Sequence, residues 1–171
     1  MAATIYTQTL ADTTHRTLIK VVGICDASAE ANTMLVRAAN LSSALTANGN
    51  ALLTLGDFGN AKSQYRTTIK RVWGQGAFKN KGYVLLKWRS DSNASPIVSF
   101  SDGQFDYNFD AEGLSAAIPA NTAGTGDVVY STTGVAAGDA FTLFIDLKKD
   151  GRDYDQGQTA DPNAFNPQRL T

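Results

Sequence analysis

Reactive side chains are scarce in this chain: among 171 residues there is one cysteine, Cys25, and one histidine, His15. A lone thiol excludes an internal disulfide and is compatible with synthesis in a reducing cytosol. Cys25 ends an apolar run and reads as a small buried hydrophobe, because a thiolate nucleophile needs a partner base. With one histidine and one cysteine, only carboxylates are left as metal ligands, so metal chemistry is poorly served. His15 lies near a terminus and reads as a solvent-facing strand residue. Sequence order alone does not define a Ser-His-Asp triad, but no nucleophile-elbow pattern is present. No catalytic residue, cofactor or metal is expected, and the chain reads as a non-enzyme.

Charge is also sparse, at 18% of residues and a formal net charge of −1. The molecule therefore has no global field from which to argue nucleic acid or an anionic membrane as a partner. No apolar run approaches membrane-spanning length. The opening residues 1–14 lack both a basic segment and a continuous apolar core, so they are not expected to be a signal peptide. What is present is 43% hydrophobic residues and 15 glycines, together with many Thr, Ser, Asn and Ala, a mixture of strands and turns.

Period-2 alternation runs along most of the chain. It is clearest over 140–148, where Phe141, Leu143, Ile145 and Leu147 oppose Thr142, Phe144, Asp146 and Lys148. Over 67–73 it sets Ile69 and Trp73 against Lys70 and Val72, and over 83–89 it sets Val84, Leu86 and Trp88 against Leu85, Lys87 and Arg89. Further strands are expected over 4–9, 16–25, 33–38 and 127–132. Asp102-Gly103 predicts a type I′ hairpin between 97–101 and 104–109, about nine strands in all. Only 40–47 and 60–65 hint at helix. Many short strands between Gly-rich turns predict an all-β chain, an antiparallel β-sandwich or jelly-roll-like single domain over 1–149. The expected core includes Ile69, Trp73, Val84, Leu86, Trp88, Phe105, Tyr107, Phe141, Leu143 and Ile145.

After Lys149 the periodicity stops, and 150–171 reads as an extended polar C-terminal arm whose large apolar groups are Tyr154, Phe165 and Leu170. Isolated apolar groups in a polar tail are natural anchors on a partner, so these three are candidate partner-binding residues. Two motifs fail on spacing. Asp106-x-Asn108-x-Asp110 opens like a calcium loop, but Ala111 and Ala117 stand where glycine and glutamate are required. Gly74-Gln-Gly76 lacks the rest of a phosphate loop and reads as a turn. Between 58 and 90 lie Lys62, Arg66, Lys70, Arg71, Lys79, Lys81, Lys87 and Arg89 with no acidic residue. Interleaved aromatics would suit single-stranded nucleic acid. If the tryptophans face inward, however, the cations are better matched to acidic strands or an acidic neighbouring subunit. Lys79 and Lys81 are the further candidate partner-binding residues, and nucleic acid and membrane are not expected partners.

Three stretches carry a family resemblance. Asp12, Thr14, Arg16, Ile19 and Lys20 stand at the places of an Asp-x-Thr-x-Arg-x-x-Ile-Lys strand. A strand with Trp73 and a polar turn at Asp102-Gly103 follow, and then Gly-Thr-Gly-Asp at 124–127 and Ala-Gly-Asp-x-Phe-Thr-Leu at 137–143. Over about 4–149 the chain resembles virion structural proteins of marine tailed phages, of the cyanophage and pelagiphage kind. The resemblance implies a virion component without enzymatic activity, assembled in the host cytoplasm. Its partners would be other virion proteins, the major capsid protein or neck and tail subunits, with further copies of itself in the particle. The expectation is a head decoration or cement protein. The rivals are a neck or tail connector and, from another class, a carbohydrate-binding jelly roll, which an exposed Trp73 or Trp88 in a shallow groove would favour.

Overall fold

The computed structural model describes residues 3–49, 51–56, 58–90, 94–110, 116–117 and 124–157. The strands are β1 (Thr4–Asp12), β2 (Arg16–Ile24), β3 (Thr33–Val36), β4 (Thr67–Ala77), β5 (Tyr83–Ser90), β6 (Ser95–Phe100), β7 (Gly103–Asn108), β8 (Ala116–Ala117), β9 (Gly124–Thr133) and β10 (Ala140–Lys149). Among the described residues there is no α-helix, and none long and apolar enough to cross a membrane.

Two antiparallel sheets pack face to face as a β-sandwich. One runs β1-β2-β10-β4-β7, with β8 beside β4, and the other runs β3-β9-β5-β6. The pairing is nested: β5 pairs β6, β4 pairs β7, β3 pairs β9 and β2 pairs β10, each antiparallel. This is a long hairpin wound so that successive pairs fall in alternate sheets, the strand order of a jelly roll. β1 extends the larger sheet at its edge.

Alternation sets the core. β2 buries Thr17, Ile19, Val21 and Gly23 and turns Arg16, Leu18, Lys20, Val22 and Ile24 outward. From the smaller sheet, Val84, Leu86 and Trp88 meet Val128 and Tyr130 in one buried cluster with Ile69, Val72, Phe141, Leu143 and Ile145. Phe141 lies edge-on to Phe100 and Tyr130, with ring centroids 5.7 and 6.1 Å apart. Room for it comes from Gly23, its register partner, where a Cβ would stand 2.3 Å from the Phe141 ring.

Four sequence expectations are corrected. Asp102-Gly103 does not close a hairpin, since β6 pairs β5 in one sheet and β7 pairs β4 in the other. Only Gly103 takes positive φ (+97), whereas a type I′ turn needs two such residues. The chain instead crosses the open side of the sandwich, and Phe100 stacks on Phe105 at 4.2 Å across it. The helix hints resolve into 3₁₀ turns at Ala38–Asn40 and Phe58–Asn60, with isolated bridges at Ala44, Leu45, Thr46 and Ala61. Trp73 faces outward and Val72 takes its place in the core. Finally, the start of the arm is part of the fold. Asp153 and Tyr154 are both fully buried, Tyr154 bridges to Ala44, and its hydroxyl donates to the Ala38 carbonyl at 3.0 Å.

Candidate functional site on the outer sheet face

The register places a small grid of side chains on the outer face of the larger sheet. Phe144, Trp73 and Asp106 lie in one cross-strand row, and Thr142, Gln75 and Gln104 lie in the next. Same-face residues two apart along a strand are about 7 Å apart, and neighbouring strands about 4.8 Å. Trp73 and Phe144 are nearly parallel, 11° between planes, with centroids 5.2 Å apart. Arg71 sits over the indole at 4.9 Å and is held there by two hydrogen bonds to Asp106, at 2.8 and 2.6 Å. These side chains border an open groove of about 570 Å³ lined by Trp73, Gln75, Gln104, Asp106, Thr142 and Phe144, a volume typical of small-molecule sites.

The outward turn of Trp73 has a local cause. Between Ile69 and Val72 stand two cations in succession, Lys70 and Arg71, and the β4–β10 register skips a residue there, with Asp146 opposite Arg71 and Leu147 opposite Ile69. A bulge of this kind reverses which face the following residues occupy. The Ile-Lys-Arg-Val run, which breaks alternation, was the signal in the sequence. Phe144 was read as outward from its own strand, but its meeting with Trp73, Gln75 and Gln104 depends on a register that sequence does not reveal.

The basic segment is largely neutralised within the chain. Lys62 and Arg66 pair with Asp153, Lys70 with Asp110, Arg71 with Asp106, and Arg89 with Asp127. Lys79 and Lys81 are exposed in the β4–β5 turn and make no ion pair among the described residues. Of the other candidate partner-binding residues, Tyr154 is an anchor for this chain's own core and is closed to a partner, because 0% of it is exposed. Phe165 and Leu170 lie outside the described residues.

Buried charges tie segments together. The Lys149 ammonium, wholly buried, donates to the Asp12 carboxylate, to the Thr13 and Ser42 carbonyls at 2.7 and 2.8 Å, and to the Ser42 hydroxyl at 3.0 Å. Burial would raise the Asp12 carboxyl, but hydrogen bonds from Lys149, Thr17 and the Ser42 amide outweigh it and hold the group below its usual range. Asp127 accepts from the Ala38 amide at 2.8 Å, and Asp139 from the Lys79 and Ala136 amides at 3.0 and 2.7 Å. Arg16 pairs with buried Asp146. Of the polar residues in the resemblance motifs, Asp12, Arg16, Asp127 and Asp139 thus make framework bonds.

Asp106 and Asp110 of the calcium-like stretch face outward and are engaged by cations. Among the described residues no group of three or more His, Cys, Asp or Glu is placed to hold a metal. His15 is exposed at the tip of the β1–β2 turn, where its Nδ1 meets the Thr14 hydroxyl at 2.7 Å. Burial pushes the Cys25 thiol up to about 11, against thiolate chemistry. No family model matches the chain, and no curated protein matches it.

Proposed function

We propose that the chain is a non-enzymatic structural subunit of a tailed-phage virion, a head decoration protein that lies on the capsid lattice and binds neighbouring subunits. The observation that carries this reading is the uncovered apolar edge of the larger sheet. β1 is exposed along most of its length, with Tyr6 62% exposed, and beside it Ile24 is 47% exposed. A sheet edge carrying exposed apolar groups is what a neighbouring subunit would cover.

The family resemblance and the jelly-roll order support the reading at the level of fold, a level that hosts viral capsid and lectin domains alike. Lys79 and Lys81, exposed and outside the internal ion pairs, suit carboxylates on a neighbour. Repetition by lattice symmetry would multiply weak contacts. Cryo-electron microscopy of virions containing the chain tests the proposal. Lattice-wide density on the head supports decoration, a ring at the neck or tail assigns the connector role instead, and absence from the particle overturns both.

A second reading, a carbohydrate-binding jelly roll, is favoured by one specific observation. Trp73 stands at an open groove, whereas Trp88 is only 2% exposed.

A further inference from the structure

We propose that the groove bordered by Trp73 and Phe144 is a binding site for one or two rings of a neutral pyranose glycan. The inference rests on the carbohydrate-binding reading, independently of a place in the virion, and names the site and the class of sugar.

The two rows are complementary to the two chemical sides of a sugar ring. A pyranose ring has C–H faces that pack against aromatic carbon and hydroxyls at its rim that both donate and accept hydrogen bonds. The row of Phe144 and Trp73 supplies the aromatic wall. The wall is held rigid, because Arg71 lies over the indole and is itself fixed to Asp106. Two residues further along each strand, on the same face, Thr142, Gln75 and Gln104 present a hydroxyl and two amides. Each amide has donor and acceptor capacity, and neither Gln75 nor Gln104 has a side-chain hydrogen bond among the described residues. The rows are about 7 Å apart, so a ring resting on the aromatic row brings its hydroxyls to the amide row. The three strands bearing the grid span about 10 Å, room for one ring or two.

Charge selects among ligands that could stack there. A nucleotide needs cations free to pair with its phosphates, yet Arg71 is bound to Asp106 and Lys70 to Asp110. Lys20, opposite Phe144 on β2, makes no ion pair among the described residues, but one cation at the end of the row does not follow a chain of phosphates, and a charged peptide otherwise meets balanced charge. A neutral, hydroxyl-rich ligand loses nothing by this balance. A protein neighbour remains the other possible occupant, and the experiment separates it.

The experiment titrates the full chain with maltohexaose, cellohexaose, mannohexaose and a β1,3-glucan hexasaccharide, by calorimetry and by tryptophan fluorescence. Trp88 is buried, so the fluorescence change reports Trp73. Saturable binding by at least one sugar, with Kd of about 1 mM or tighter, is expected. Trp73→Ala should abolish it. Gln75→Ala with Gln104→Ala, both exposed and outside the core, should weaken it about tenfold even if the tryptophan variant folds poorly. Gln8→Ala, on the same face but away from the groove, should leave it unchanged. Binding that survives the Trp73 and double glutamine changes would overturn this site while leaving a sugar-binding role elsewhere. Failure of every sugar to bind the folded chain would overturn the site and the carbohydrate reading together. Self-association lost in Trp73→Ala without sugar binding, or salt-sensitive binding of a single-stranded oligonucleotide at the groove, would likewise overturn the proposal.

Discussion

Ending the chain after Lys149 should unfold much of what a cut after Gly157 leaves intact. Residues 150–157 look dispensable by composition, yet they contribute a buried aromatic and a buried carboxylate. Tyr154 packs against Tyr65 with centroids 5.5 Å apart and places its ring 5.4 Å from the Lys149 ammonium. Removing a fully buried aromatic costs about 3–5 kcal/mol. Asp153 accepts from Lys62, from the Arg66 amide and from the Arg66 guanidinium. Its loss strands those donors, adding on the order of 1–3 kcal/mol. The total is about 5 kcal/mol, the size of the whole stability of a marginal domain. At about 2–4 °C per kcal/mol for a chain of this length, the melting temperature should fall by roughly 10–20 °C. Tyr154→Phe should cost only about 1 kcal/mol, because the Ala38 carbonyl keeps the Leu41 amide at 3.2 Å as a donor. The assay is thermal and urea unfolding of the full chain, 1–157, 1–149 and Tyr154→Phe. A 1–149 chain that melts within a degree or two of 1–157 would refute the reasoning and return residues 150–157 to the role of a peripheral arm.

Three further outcomes follow from the core and the buried charges. Gly126→Ala should destabilise more than Gly23→Ala in urea unfolding. At Gly126 (φ +87) a Cβ would meet the Tyr65 carbonyl at 1.9 Å, whereas at Gly23 it meets a side-chain ring that can shift, for about 1–3 kcal/mol; equal effects would contradict the packing described. Stability should decline as pH falls from about 4 toward 2. Asp12 is held below its usual range, and Asp150, through hydrogen bonds from Arg152, is lowered to about 2; carboxyls depressed in the folded state contribute above their unfolded values and lose that contribution on protonation. A urea midpoint that rises across this window would contradict it. The Cys25 thiol should be inert to a thiol reagent at pH 8 until the chain unfolds, since it is buried and raised to about 11; rapid labelling of the native protein would show the thiol to be accessible.

How much of this was legible in the sequence depended on the range of the interaction concerned. Strand existence is a local property, written in alternation, and β2, β5 and β10 lie within a residue or so of where alternation puts them. Pairing is not local. Asp102-Gly103 marks a real turn, but whether a turn joins partners in one sheet or carries the chain to the other is decided by the nested winding. The innermost pair of that winding is β5 with β6, and the next is β4 with β7. Face assignment is local only while the ladder is regular. One extra residue near Lys70 moved Val72 inward and Trp73 outward, and with Trp73 went the expected core and the choice between a buried aromatic and a binding wall. Residues 150–157 illustrate the third limit. Asp153 and Tyr154 have no periodicity to announce them, and their burial is specified by partners far back in the chain, Lys62 and Arg66 for one and Ala38, Ala44 and Tyr65 for the other. The candidate groove inherits all three dependences. Its residues come from β4, β7 and β10, so the grid exists only because the winding brings β10 and β7 to either side of β4 and the bulge then turns Trp73 to face them. Deleting Lys70 should therefore remove the bulge and set Ile69 and Val72 two residues apart on the core face, leaving Trp73 outward and the groove in place. The readout is tryptophan emission and acrylamide quenching, both expected to stay as in the full chain; a blue shift with loss of quenching in a folded variant would show that the register described does not set the face of Trp73.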